Sequence, residues 1–289
     1  MSAHAAAAGP ARAREPAAAR VWSAVRGRLL TVWAALALLY LFIPIFVVMA
    51  FSFNAPKGRY NFTWEGFTLD HWRSPFGVES LGEAMRNSMV IAGISTAIAL
   101  FLGTLMALAL VRYRFRGRAP ADLFVFLPLA TPEVVLGAAL LGLFLTLNVA
   151  TGFVTILIAH VMFNVSYVVV TIRARLEGMD RHIEEAAMDL GANEWTVFRK
   201  VTLPLIAPGV AAAGLLAFAL SVDDFVITNF NAGSTVTFPL YIWGAARVSI
   251  PPQVNVMATL IFLVTLALMI ATVAQGRRAE RTAAVRPGS

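Results

Sequence analysis

The chain has 289 residues, of which 59% are hydrophobic and only 13% charged, with a mean hydropathy of +0.74. That composition excludes an ordinary soluble domain and points to a chain that crosses a membrane several times. The net charge of +7 does not indicate nucleic acid, because the basic residues lie between apolar runs, and the absence of cysteine excludes disulfides and thiolate chemistry.

In chain order, residues 1–28 are rich in Ala and Arg, carry Pro10 and Pro16, and read as a disordered basic tail. Leu29 to Phe51 is apolar, long enough to span a bilayer, and interrupted at Pro44. It is longer than the core of a signal peptide and reads as an uncleaved first span. A polar loop to about residue 86 follows, with Tyr60, Phe62, Trp64, Phe67, Trp72 and Phe76, side chains suited to a membrane–water boundary.

The second span is predicted from Asn87 to Val111, with Gly93, Gly103, Ser95, Thr96 and Thr104 permitting close helix packing. A basic connection, Arg112 to Arg118, precedes a third span over Asp122–Leu147 and a fourth over Thr151–Ile172. A long polar interval occupies residues 173–205. The fifth span is predicted over Ile206–Thr228 and the sixth over Val254–Ala274, followed by an Arg-rich tail over 276–289. The fold class expected is all-α, with six transmembrane helices between 29 and 275 and both termini on one side.

Basic residues fix the expected orientation. Arg12, Arg14, Arg20, Arg26 and Arg28, then Arg112, Arg114, Arg116 and Arg118, all fall on one side. So do Arg173, Arg175, Arg181, Arg199 and Lys200, and finally Arg277, Arg278, Arg281 and Arg286. The other side has Lys57, Arg59, Arg73, Arg86 and Arg247. The richer side, with the 173–205 interval, is expected to face the cytoplasm.

Within that interval Asp180 is placed to accept from free N–H groups at a helix start, and Gly191 supplies the left-handed position that ends the helix. Asn193 is placed to cap a second short helix, and Pro204 is expected to end it near Leu203. Ala186 and Ala187 leave room for a partner surface.

Three acids lie within predicted spans. Glu133, in Thr131-Pro132-Glu133 with Pro128 nearby, falls midway along the third span. An acid at that depth costs roughly 2.5–3.5 kcal/mol on insertion scales, so it faces an interior or a wet cavity. Asp223 and Asp224 lie late in the fifth span. Neighbours on a helix diverge by about 100°, so one is free to face a pathway while the other pairs elsewhere, with Arg247 a candidate partner. These acids suit a route for a cationic solute; ion pairing or a hydrated helix end is the competing reading. His160, Asn164 and Tyr167 read as hydrogen-bonding groups between helices.

No catalytic cluster and no metal-ligand spacing is present; the four histidines are scattered. Neither Lys57 nor Lys200 follows a glycine, so the chain lacks a phosphate-binding loop, and any ATP must bind another chain.

Glu184-Glu185-Ala186-Ala187, Gly191, Val201 and Leu203-Pro204 resemble the "EAA" coupling loop of ABC-importer permeases, and fit each fixed position of that pattern. A second resemblance runs through Ser221-Val222-Asp223-Asp224, Gly233, Phe238-Pro239-Leu240, Tyr241, Arg247 and Pro251-Pro252-Gln253-Val254-Asn255. This stretch is similar to the second permease subunit of spermidine/putrescine importers. The resemblance implies the type I importer permease fold and a chain that is not itself an enzyme. It implies a second, homologous permease, two cytoplasmic ATPase subunits that bind ATP and Mg, and an extracytoplasmic binding protein, all at a bacterial inner membrane. A polyamine is the implied solute, with amino-acid derivatives or ferric iron as alternatives within the family. The rival from another class is an ion-coupled secondary transporter working through Glu133 and Asp223.

Overall fold

The structure, a computed structural model, describes residues 17–58, 60–248 and 250–284. The described residues are helical, with one isolated antiparallel bridge between Asn54 and Phe67. Two units separate along the chain, residues 1–50 and 51–289.

The first unit holds most of helix α1, Ala17–Phe51, which keeps Pro44 inside it. Helix therefore begins within the stretch expected to be a disordered tail; residues 1–16 of that tail lie outside the described residues. The helical extension carries no proline after Pro16, and alanine and arginine are good helix formers, which the reading by composition ignored.

In the second unit, a short turn α2 (Asp70–Arg73) leads to α3 (Glu79–Arg112), α4 (Arg118–Ala130), α5 (Glu133–Thr146) and α6 (Phe153–Glu177). Then come α7 (His182–Asp189), α8 (Glu194–Val197), a π-helical turn Phe198–Thr202, and α9 (Leu203–Asp223). Helices α10 (Val226–Asn231), α11 (Phe238–Ala245) and α12 (Pro252–Ala284) complete the chain. Residues 285–289 of the final tail lie outside the described residues, and the rest of that tail continues α12.

Five helices among the described residues are long and apolar enough to cross a membrane. The third predicted span, Asp122–Leu147, is not one helix: α4 and α5 meet at 112°. Pro132 has no N–H to donate and pushes Thr131 out of helical geometry, to ψ 131°. The fifth span also ends earlier than predicted, at Asp223, where Asp224 turns extended with ψ 117°. Non-helical backbone at membrane depth persists only where protein buries it or a wet cavity receives it. Both breaks are therefore places where other protein or a wet cavity is expected to meet the backbone.

The core is α3 packed on α6 and α9 through Ala99, Ala107, Ala213 and Ala217, with Val168, Val169 and Ile172 of α6 fully buried. Lipid is as apolar as leucine, so close van der Waals contact rather than burial from water holds such helices together. Gly103 lets α3 and α6 approach closely: a Cβ there would stand 2.6 Å from Val168 Cγ1. Where α1 gives way to the following loop, Asn54 organises the backbone. Its amide donates to Asn61 Oδ1 at 2.6 Å and Thr63 O at 2.7 Å, and its Oδ1 accepts from Glu65 N–H at 2.8 Å. Phe53 stacks between Phe67 and Trp72 beside it.

Candidate functional site: a docking loop and two broken helices

The interval 173–205 folds as a helix, a tight turn and a second helix. Asp180 Oδ1 accepts from His182 N–H at 3.0 Å and meets His182 Nδ1 at 2.7 Å, starting α7 as its position predicts. The backbone and ring hydrogen bonds from His182 hold the Asp180 carboxyl below its ordinary range. The same carboxylate, with Glu185 nearby, raises the His182 pKa. Gly191 has φ +87°, its N–H bonding Met188 O at 2.8 Å, while Ala192 N–H reaches Ala187 O at 3.1 Å. Those bonds close the last turn of α7 on the left-handed residue. Asn193 caps α8, its Oδ1 accepting from Thr196 N–H at 2.8 Å.

One expectation fails here. The second helix does not stop at Leu203, whose φ −59° and ψ −45° are helical; α8, the π turn and α9 run on as one rod from Glu194 to Asp223. The wide turn is the reason. Leu203 N–H bonds Phe198 O, five residues back, and the expanded ring leaves space for Pro204 where an α-helical carbonyl would clash.

The two adjacent glutamates divide their work. Glu184 points into its own chain, with Oε1 2.7 Å from Arg112 Nη2 and 2.5 Å from Thr202 Oγ1, which donates to it. These side chains tie α7 to the end of α3 and to the start of α9. Glu185 and Ala186 are exposed, Ala187 is half-buried, and Leu203 and Pro204 are exposed. Leu190, 90% exposed, and Trp195, 67%, stand out from the same loop. An exposed apolar surface of this kind beside the Glu185 carboxylate is a candidate protein-docking face. Behind it a groove of about 630 Å³ is lined by Leu105, Leu108, Arg112, Trp195 and Phe198, among others.

The three acids sit at the two breaks. Glu133 is the first residue of α5 and exposed, not buried along a continuous span. The positive N-terminal end of α5 favours a carboxylate there, and Pro128 and Pro132 leave backbone carbonyls of α4 without N–H partners. Asp223 ends α9 and is exposed. Asp224, its neighbour, has only 7% of its side chain exposed and faces inward. Its Oδ2 accepts from Thr228 N–H and Thr228 Oγ1, each at 2.7 Å, and from His160 Nε2 at 3.2 Å.

His160 thus takes the place foreseen for Arg247, whose guanidinium lies 5.0 Å from the Trp243 ring centre. His160 does bond between helices, as expected. Tyr167 instead packs its ring on Phe163, and Asn164 is fully buried with neither amide atom paired among the described residues. The sequence held no local signal for the His160–Asp224 contact, because sixty-four positions separate them. Among the described residues no group of His, Asp and Glu is arranged to hold a metal ion.

Residues 99–282 match the family model described as the binding-protein-dependent transport system inner membrane component. The chain is 40% identical over 232 residues to the spermidine/putrescine transport system permease protein PotC of Haemophilus influenzae, covering 80% of this chain and 90% of that one. It is 38% identical over 230 residues to the putrescine transport system permease protein PotI of Escherichia coli, covering 77% and 81%. Among solved structures it is similar to a bacterial ABC transporter involved in import of the acidic polysaccharide alginate. The TM-score is 0.65 at 17% identity, over 90% of this chain and 99% of that one. An inward-facing methionine ABC transporter gives a TM-score of 0.54 at 14% identity, over 70% and 94%. At those identities the likeness is one of fold.

Proposed function

The chain belongs to the family of binding-protein-dependent transport system inner membrane components, as a multi-pass permease of an ABC importer, and from that premise we propose how it works and what it carries. The solute is a polyamine, putrescine or spermidine. The names of its relatives support this, and so do two exposed carboxylates, Glu133 and Asp223, each at a helix break. A flexible polycation is held by separated carboxylates and free carbonyls, without any metal or cofactor in this chain.

The observation that carries the coupling role is the division between Glu184 and Glu185. Glu184, bonded to Arg112 and Thr202, makes α7 part of the permease body, while Glu185, Ala186 and the apolar residues around Gly191 face outward. In the proposed assembly an ATPase subunit closes on that face and displaces α7. The Glu184 tie and the rod Glu194–Asp223 carry the displacement to the break at Asp224. A second permease completes the pathway, two ATPase subunits bind ATP and Mg, and a binding protein delivers solute from outside. Both termini then lie in the cytoplasm.

Uptake of labelled putrescine and spermidine, in cells lacking this chain and in the same cells with it restored, tests the assignment. Return of ATP-dependent uptake with the chain is the expected result. Polyamine uptake indifferent to the chain removes that solute and moves the test to amino-acid derivatives and ferric iron. Uptake that survives ATP depletion but not loss of the proton gradient would replace the mechanism with an ion-coupled one.

A further inference from the structure

We propose that His160 is a positioning residue: through Asp224 it clamps the broken end of α9 and the short α10 to α6, so that the pathway end of the permease moves with its docking loop. The proposal deepens the transport reading above and rests on it for its consequence, though not for its geometry.

The break needs something to hold it. α9 ends at Asp223, leaving its last carbonyls without helical partners, and α10 has only six residues. A helix that short has no stability of its own. Its start is fixed by Asp224, which accepts from Ile227 N–H at 3.3 Å and Thr228 N–H at 2.7 Å. Asp224 is in turn fixed from outside its own segment, by His160 of α6.

The contact is part of a string across four helices. Ser95 Oγ of α3 lies 3.1 Å from Ser221 Oγ of α9, and Ser221 Oγ lies 2.6 Å from His160 Nδ1. His160 Nε2 lies 3.2 Å from Asp224 Oδ2 and 2.9 Å from Thr228 Oγ1 of α10. All five residues are buried or nearly so. One assignment of protons fits the string: Ser95 shares its proton between Ala92 O, 3.2 Å away, and Ser221, Ser221 donates to Nδ1, and Nε2–H donates to the carboxylate, which can only accept. Packing alone does not fix such a register. The rest of the α3–α6–α9 contact is apolar, alanines with Leu110, Val168, Val169, Ile172 and Ile206, surfaces without a directional bond, whereas a buried hydrogen-bonded string constrains the geometry.

The string also stands opposite the first tie. α6 and α9 are the two helices that leave the docking loop. At the loop end Glu184 joins the start of α9 to α3, through Thr202 and Arg112, and Arg175 Nε of α6 donates to Leu205 O of α9 at 3.3 Å; at the other end His160 joins α6 to α9, α3 and α10. Three helices held at both ends form a lever. Without the second tie, movement of the loop reaches Asp223 at the end of α9 but is not shared with α6 and α10.

The absence of cysteine permits a direct test on the assembled transporter. Spin labels on cysteines replacing Ala174 of α6 and Asn229 of α10, both exposed, report the separation of the two helices. With His160 intact, one distance is expected, the same without nucleotide and with ATP trapped. His160→Leu is expected to broaden it and to make it differ between the two states. Import per ATP hydrolysed then falls by about fivefold or more, with hydrolysis retained. His160→Gln keeps a donor for Asp224 and restores both readouts, as simple loss of packing would not predict. Ser221→Ala, a milder change that spares the Asp224 contact, gives an intermediate distribution and serves if His160→Leu fails to assemble. Parental distances and parental import per ATP in His160→Leu overturn the clamp, as does an α6–α10 distance that already changes with nucleotide in the parent. If the parent imports no polyamine, the transport reading fails while the distances still decide the clamp.

Discussion

Arg112 Nη2 and Glu184 Oε1 lie 2.7 Å apart with their side chains only 11% and 13% exposed, while Glu185, the next residue, stands in the open. Glu184→Ala leaves a guanidinium nearly sealed from water without its carboxylate. Breaking a buried pair from one side costs about 3–5 kcal/mol. The thermal midpoint of the purified complex should fall accordingly. The double change Arg112→Met with Glu184→Leu should recover most of that loss, because no unpaired charge remains. A Glu184→Ala complex as stable as its parent would show that water reaches the pair. Glu185→Ala should leave stability unaltered and weaken ATPase binding.

Gly191 takes φ +87°, where a β-branched side chain is strained. Nothing stands within 4 Å of a Cβ built there, so the strain is conformational and not steric. Gly191→Val should cost about 1–3 kcal/mol locally and uncouple ATP hydrolysis from uptake. Gly191→Asn, which tolerates this backbone, should do neither. Equal coupling in the valine and asparagine variants would remove the turn from the mechanism.

The Asp180–His182 pair makes the start of α7 sensitive to pH. His182 is raised above its ordinary 6.5, so its contribution is full below that value and fades as pH rises through the raised one. Asp180 is lowered from 3.8, so its contribution is full above that value and fades as pH falls through the lowered one. The turn should be firmest between those ordinary values, where both groups are charged. Amide exchange over residues 181–186, corrected for intrinsic rates, should quicken above neutrality in the parent and show no such rise in His182→Ala. Identical pH dependence in the two proteins would dismiss the pair.

The three acids should separate by assay. Glu133→Gln and Asp223→Asn should lower solute uptake while the complex keeps its abundance and thermal midpoint, because both carboxylates are exposed in the chain. Asp224→Asn should instead lower the midpoint, since the neutral amide is a weaker acceptor for Thr228 and His160 than a carboxylate. Unchanged uptake in Glu133→Gln would take that residue off the route.

The sequence alone determined that this chain crosses a membrane, where most of its spans fall and how the polar segment between α6 and α9 folds. Those features are local: a long apolar run, a glycine at a left-handed position, an asparagine cap and a fixed spacing from Glu185 to Pro204 each act within a few residues. The same local reasoning went wrong where its rules competed. Pro132 broke a helix read as continuous, whereas Pro204 broke none, because a π turn at Phe198–Thr202 made room for it. Only the tertiary structure decided which of two adjacent acids faces inward. Glu184 is chosen by Arg112, seventy-two positions away, and Asp224 by His160, sixty-four away. A buried charge takes whichever partner the packing of other helices brings to it, and that choice is not written near the residue itself.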